Sequence, residues 1–523
     1  MTMVAARVLW VDDEIELLEA HRIFLEMKGY SVLPFSNGFD ALEQLASIEV
    51  DIVLLDESMP GINGLEVVEG IKKIRPHLPV VLITKNETES LMEEAIGAQI
   101  ADYLIKPVNP NQVLHTLKKL LDNKRLVAEK TTATYLQQYP SILDGVNAQS
   151  THQEWAAAYK EIVFWEQELD KLGDGGMREV LVAQKTEANA AFFKCISRQY
   201  LNWISGKDKD SPLLSHQVFV RKIKPLLHDE LPLVWLVLDN FRYDQWKVIA
   251  PMVDEMFRID EESIYYSILP TATHYCRNAL FSGELPFDIE KKYPGRWKHD
   301  DDSDGKNSEE EFFFSRLWQR EGFTAEAFSY KKITAHEEAL KLADHAHELL
   351  DRQLSIVVYN LIDMMTHARS DLDVLKELAS DEVAYRSLTQ SWFRHAPICQ
   401  VLKKISERPC RIVLTTDHGS IQVKHPIRVQ GDKQTTANLR YKNGRYLDYD
   451  PRDVLAFKNP EDAGLPKNSV SGSFIFAGKQ DYMCYPNQFN HYASLYRNSF
   501  QHGGISMEEM MVPLVTLSSR QLR

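Results

Sequence analysis

Residues 233–240 read LVWLVLDN: six apolar residues of strand length that deliver a carboxylate, Asp239, and run on into Phe241-Arg242-Tyr243-Asp244. A run apolar on both faces marks a strand buried in a parallel sheet. Such a strand brings its last residue to the C-terminal edge, where α/β enzymes place their sites. A lone Asp after a strand is ordinarily a turn residue or a helix cap. Here three later segments repeat the arrangement. The strand 354–361 is followed by Asp363 and His367, and the strand 411–416 by Asp417-His418-Gly419. His502-Gly503-Gly504 precedes the strand 512–517.

Between the first two of these lies the predicted strand 264–269. It leads into Pro270-Thr271-Ala272-Thr273 and a helical stretch over 274–281. The i, i+4 spacing of Asp363 and His367 places both on one helical face. Mixed Asp and His sets suit Zn²⁺ better than Mg²⁺ or Ca²⁺. Thr273 stands where an N-cap belongs, and a helix N-terminus favours negative charge. A zinc ion beside it would lower the hydroxyl pKa enough for attack on phosphorus. Lys424, His425, Arg428 and Arg440 follow the Asp-His-Gly motif and could hold a substrate phosphate or form a surface lid. Residues 299–311, HDDDSDGKNSEEE, read as a solvated acidic insertion.

At 523 residues the chain is too long for one ordinary core. With 44% hydrophobic and 26% charged residues it has globular composition, and it contains no apolar run long enough to span a bilayer. Acidic residues arrive too early in MTMVAARVLWVDDE for a signal-peptide core, so a cytoplasmic location is expected. Cys195, Cys276, Cys399, Cys410 and Cys484 are scattered without CxxC spacing and are expected to be small buried hydrophobes. The net charge of −15 excludes a general binder of duplex DNA, which needs a basic face to release counterions.

Upstream, residues 1–122 alternate strand and helix five times, predicting a doubly wound parallel sheet. Strands are expected at 7–11, 31–34, 52–55, 80–83 and 102–104, and helices at 14–28, 38–46, 65–73, 87–96 and from Asn111. The edge of that sheet collects Asp12, Asp13, Asp56, Thr84 and Lys106. Three carboxylates together require a cation, and all-oxygen ligands favour Mg²⁺. A carboxylate beside Mg²⁺ and a Lys can accept a phosphoryl group. The segment resembles response-regulator receiver domains, on VDDE at 11–14, LLDESMPGINGLE at 54–66, LIT at 82–84 and YLIKP at 103–107. By that resemblance Asp56 is the phosphoacceptor, and Asp13, Asp56 and the Ser58 carbonyl hold Mg²⁺ with help from Asp12. Thr84 and Lys106 would contact the phosphoryl group and Tyr103 would report the switch. A sensor histidine kinase partner and a phosphorylation-dependent homodimer are implied.

Residues 123–215 read as a helical bundle linking the two ends. The apolar stripe Leu114, Leu117, Leu121, Val127 carries the helix begun at Asn111 straight into it. Further helices are expected at 155–172, 179–191 and 192–204, with Trp155, Phe164, Trp165, Phe192, Phe193 and Trp203 as core. No helix-turn-helix with basic recognition residues is present.

Residues 216–523 resemble the PglZ branch of the alkaline phosphatase superfamily. LDNFRYD at 238–244, PTAT at 270–273, DMMTH at 363–367, TTDHG at 415–419 and QHGG at 501–504 carry the resemblance. It implies one zinc held by Asp363, His367 and His502, and a second held by Asp239, Asp417, His418 and the nucleophilic threonine. Two such ions are expected roughly 3.5–4 Å apart. The phosphodiesterase branch places its nucleophile at the second threonine, which favours Thr273 over Thr271. Receiver, helical linker and PglZ domain in one chain resemble the PglZ-type response regulators of the type IX secretion system. The function implied is a zinc phosphodiesterase acting on cyclic or linear oligonucleotides and set by phosphorylation. The alternative is a phosphorylation-switched docking protein for a sigma factor or secretion component, with little turnover.

Overall fold

The computed structural model describes all residues except 1–5, 46, 77, 86–99, 144–145, 173–174, 209, 229–230, 301, 303–304, 325–326, 361–380, 433–434, 468–470 and 522–523. The chain divides into two compact units, Met1–Gln137 and Gln138–Arg523.

In the first unit, β1 (Ala6–Val11), β2 (Tyr30–Phe35), β3 (Ile52–Asp56), β4 (Val80–Thr84) and β5 (Asp102–Ile105) form one parallel sheet in the order β2-β1-β3-β4-β5. The period of two along β1 sends Leu9 and Val11 to one face, against Val67, Val68 and Ile71. Val8 and Trp10 face the other side, with Leu25, Val113 and Leu117. The doubly wound arrangement expected from the sequence is thus present. The stretch expected as one helix over 14–28 opens instead as a 3₁₀ turn, Ile15–Leu18, before the helix Glu19–Met27. The helix Gly64–Ile74 starts on a capping box: the Asn63 side chain accepts from the Leu65 N–H at 3.2 Å, and Glu66 accepts from the Asn63 N–H at 3.2 Å. The helix expected at 87–96 lies outside the described residues. The last helix, Pro110–Ile142, runs without interruption past residue 123, as the apolar stripe predicts.

The second unit begins with the helices His152–Leu172 and Gly175–Ile204. The second replaces the two helices expected at 179–191 and 192–204. Nothing in Ala188-Asn189-Ala190-Ala191 breaks a helix, and alanine is its best former, so the chain continues. Trp155, Trp165, Phe192 and Trp203 are buried as expected, whereas Phe164 is 51% exposed.

A six-stranded sheet forms the body of this unit. Its core is β6 (Leu233–Leu238), flanked by β10 (Arg411–Thr415) and β9 (Leu354–Tyr359), both parallel to it. Beyond β9 lies β8 (Phe328–Ile333), also parallel. Beyond β10, the C-terminal strand Met511–Ser519 runs antiparallel and pairs with the antiparallel edge strand β7 (Phe257–Tyr266). β7 lies upstream of the expected 264–269, because an edge strand with a solvated face tolerates the charges of Arg258–Glu262. Trp235, Val237, Ile356, Val358 and Val413 pack against Phe281, Phe314 and Trp318, which covers one face of the sheet. The parallel trio therefore brings three strand ends to one edge. Among the described residues no helix is long and apolar enough to cross a membrane.

Candidate functional site

Asp239 and Asp417 follow the ends of β6 and β10, and both are fully buried. Asp239, Asp417 and His418 each offer a ligand atom, all within 4.8 Å of one another. His418 Nδ1 lies 3.0 Å from the Gly419 carbonyl oxygen, an arrangement that requires the proton on Nδ1. Its Nε2 lone pair is thereby aimed at the Thr273 hydroxyl, 2.9 Å away. The same hydroxyl is 3.3 Å from Asp239 Oδ1. Asp417 Oδ1 accepts from the backbone N–H of Asn240 at 3.2 Å and of His418 at 3.1 Å, which fixes the carboxylate plane. Asn240 reaches that position with φ 57°, a left-handed conformation that asparagine tolerates better than most residues.

Thr273 is the first residue of the helix Thr273–Ser282, with Ala272 at the N-cap. This corrects the N-cap expectation. Its hydroxyl does not cap the helix and points to the carboxylate–imidazole cluster instead. Thr271, two residues earlier, is fully buried; its hydroxyl donates to the Gly504 carbonyl at 2.8 Å and accepts from the Gly503 N–H at 3.1 Å. His502 stacks on His418 with ring centroids 4.4 Å apart. Its Nδ1 faces the Thr271 carbonyl oxygen at 3.2 Å. Asp363 and His367 lie outside the described residues.

Sequence reasoning missed Arg277. It stands one helical turn after Thr273, on the same face, and that i+4 spacing was the one signal available. Its guanidinium is fully buried; Nη1 lies 2.7 Å from Asp239 Oδ2 and 3.0 Å from Asn360 Oδ1, and Nε donates to Glu310. Burial works against the Arg277 charge, but Asp239 and Glu310 outweigh it and hold its pKa well above the ordinary value.

Glu310 belongs to the stretch expected to be a solvated acidic insertion, and for three of its residues the structure overturns that expectation. Glu310 is buried on Arg277. Asn307 Nδ2 donates to the Thr273 carbonyl at 3.2 Å. Asp300 accepts from the Tyr275 hydroxyl at 2.6 Å and the Tyr441 hydroxyl at 2.8 Å. Burial pushes the Asp300 carboxyl up, but the neighbouring His274 ring and the hydrogen bonds from Tyr275 and Tyr441 prevail and hold it below the usual carboxylate value. All three residues pack against the helix Thr273–Ser282.

Arg440 is neither a phosphate ligand nor part of a lid. It is fully buried, and its fork holds Glu509 at 2.6 and 3.1 Å. Glu509 in turn accepts from the Gly504 N–H at 2.9 Å. His425 and Arg428 are exposed on a short strand, and Lys424 is half-buried beside them.

The donor set fits a divalent metal. Two buried carboxylates converge with an imidazole lone pair, their ligand atoms within 4.8 Å of one another, and clustered buried carboxylates are held by cations or metals. A second cluster, Asp12, Asp13 and Asp56, stands in the first unit. Lys106 Nζ is 2.9 Å from Asp12 Oδ2 and 3.0 Å from Asp56 Oδ2. Burial, then the neighbouring Asp12 and Asp13 charges, raise the Asp56 pKa against the opposing pull of Lys106. Thr84 is buried and its hydroxyl donates to Glu57. Asp13 and Ser58 are exposed at the rim, and Tyr103 is exposed on β5.

A family profile described as the BREX system PglZ alkaline phosphatase-like domain matches residues 218–517. The chain belongs to the PglZ family. Ahead of its PglZ domain, residues 8–118 match the response regulator receiver domain and residues 125–204 the PorX response regulator linker domain. This is the architecture of a PorX-like response regulator. Over its receiver the chain is 31% identical to the chemotaxis protein CheY of Thermotoga maritima, across 22% of this chain and 96% of CheY. It is 32% identical to the transcriptional regulatory protein ZraR of Klebsiella oxytoca across 26% of this chain, but spans only 31% of ZraR. The chain thus spans less than half the length of the first curated relatives it matches. Among solved structures, a CheY-like receiver domain from Methanospirillum hungatei shares 28% identity, covers 23% of this chain and 94% of its own, and gives a TM-score of 0.22.

Proposed function

We propose that the PglZ domain is a zinc-dependent phosphodiesterase and that phosphorylation of Asp56 by a sensor histidine kinase sets its activity or assembly. The observation that carries this reading is the Thr273 hydroxyl, held between Asp239 and His418 at 3.3 and 2.9 Å. Asp239, Asp417, His418 and Thr273 would hold one zinc, and Asp363, His367 and His502 a second. Zinc there would lower the hydroxyl pKa and neutralise charge on the phosphoryl oxygens.

The chain's own residues supply the rest. Thr273 Oγ loses its proton and attacks phosphorus, and one ester oxygen leaves and takes up a proton as the alcohol; water then cleaves the P–Oγ bond, its oxygen going to phosphorus and one proton restoring the hydroxyl. The N-terminus of the helix Thr273–Ser282 favours the phosphoryl anion at that position. Arg277 fixes the Asp239 carboxylate, and the Asn240 and His418 amides fix Asp417. Thr271 already donates and accepts within the fold, which supports Thr273 as the nucleophile.

In the receiver, Asp13, Asp56 and the Ser58 carbonyl would hold Mg²⁺, with Lys106 and Thr84 on the phosphoryl group. Cyclic or linear oligonucleotides are the substrate class and type IX secretion the setting. The test is zinc content together with hydrolysis of an activated phosphodiester, for the natural chain and Thr273→Val. Zinc-loaded natural protein that turns over faster than the variant supports the reading. Equal rates with zinc bound would leave a docking role alone.

A further inference from the structure

Lys185 lies on the linker helix Gly175–Ile204 and is buried. Its ammonium meets three carboxylates from three separate segments: Glu166 at 2.8 Å, Glu382 at 2.7 Å and Glu508 at 2.9 Å. An ammonium has three N–H donors, so the tripod uses all of them. One helical turn on, the buried Asn189 Nδ2 donates to Glu508 Oε2 at 3.0 Å, and its Oδ1 accepts from the Met507 N–H at 2.9 Å. Both carboxylate oxygens of Glu508 are therefore held by the linker helix.

Glu508 sits in the short turn Met507–Met510, whose other side carries the loops of the candidate site. The Gly419 N–H donates to the Glu509 carbonyl at 3.0 Å. A Cβ on Gly419 would lie 2.0 Å from the Glu508 carbonyl oxygen, so the Asp417-His418-Gly419 loop rests directly on this turn. The Glu509 side chain holds the Gly504 N–H at 2.9 Å and so anchors the loop of His502.

We propose that Lys185 and Asn189 are positioning residues of the linker for the His418 and His502 loops, so that the linker helix is a working part of the metal centre. Their effect passes through Glu508 and the backbone of residues 506–510, and neither side chain touches the reacting atoms. The zinc arm of the test rests on the reading that these loops hold zinc; the exchange arm does not.

The experiment uses the full chain with Asn189→Ala, and with Glu508→Gln as a second, isosteric variant. Amide hydrogen exchange on zinc-free protein reads the peptides covering 416–420 and 501–505, with those of the strand Phe328–Ile333 as internal reference. Competition against a chelating dye reads zinc affinity. Both variants are expected to exchange faster in the two loops than in the reference strand. Their zinc dissociation constant should rise about tenfold, as for loss of outer partners of a metal ligand. Loop exchange and zinc affinity within twofold of the natural chain, in either variant that keeps a cooperative melt, would overturn the proposal. Faster loop exchange with no zinc bound by the natural chain would uphold the positioning role while removing the zinc reading.

Discussion

The Thr273 hydroxyl and His418 Nε2 lie 2.9 Å apart, although one stands at the head of a helix and the other after a strand 145 residues later in the chain. The contact is chemically directed, because the Gly419 carbonyl claims the proton on His418 Nδ1.

Thr273→Val is expected to lower phosphodiester turnover on the order of 10⁴–10⁶-fold, the loss seen when a covalent nucleophile is removed, while leaving the melting temperature nearly unchanged. Thr271→Val acts in the opposite sense. It leaves the Gly503 N–H and Gly504 carbonyl without their partner and costs about 1–3 kcal/mol of stability, with turnover largely kept. Steady-state kinetics and thermal melts on both variants check this.

Arg277→Met leaves Asp239 and Glu310 buried against an uncharged side chain. Breaking a buried pair on one side costs about 3–5 kcal/mol. Added zinc should recover part of that loss, because it supplies charge to Asp239. The check is thermal melting of the variant with and without zinc. A zinc-dependent gain no larger than that of the natural chain would show that Asp239 is not a ligand.

Much of this site was legible in the sequence, and the reason is local. Asp239 and the pair Asp417-His418 each follow an apolar run of strand length, a pattern that points them to the C-terminal edge of a sheet. Glu310 was hidden because an acidic stretch of thirteen residues looks solvated until its long-range partner Arg277 is known. Arg440 misled for the mirror reason: a basic residue after the Asp-His-Gly motif suggests a phosphate ligand, yet its partner Glu509 lies 69 residues away. The helix Gly175–Ile204 runs straight through Ala191-Phe192, because no breaker stands there to end the first of the two helices that the sequence predicts.

The pH dependence of stability should carry the mark of Glu166. Burial, set against Lys185 and Arg386, pushes its carboxyl from 4.5 up to about 7. The folded state therefore binds this proton more tightly than the unfolded chain. The cost of ionising Glu166 is absent below about 4.5, grows as pH rises towards about 7, and is constant above that. Over that window the contribution approaches about 1.4 kcal/mol per pH unit. Urea midpoints between pH 5 and 8 should fall more steeply with pH for the natural chain than for Glu166→Gln. Parallel curves would contradict the assignment.

Three receiver carboxylates cluster and Lys106 pairs with two of them, Asp12 and Asp56, so Mg²⁺ should raise the thermal midpoint of the receiver, and Asp56→Asn should abolish most of that rise. With Mg²⁺ and an acyl-phosphate mimic, the light-scattering mass of the natural chain is expected to double while that of Asp56→Asn stays put. Identical masses with and without the mimic would remove the dimer switch.

The central claim is that Asp239, Asp417, His418 and Thr273 share a metal ion. Anomalous diffraction at the zinc edge, from crystals grown with the metal in excess, addresses it most directly. The account predicts a peak within about 2.0–2.2 Å of an oxygen of Asp239, an oxygen of Asp417 and His418 Nε2. Zinc bound elsewhere on the chain, with no anomalous peak beside Asp239, Asp417 and His418, would contradict it.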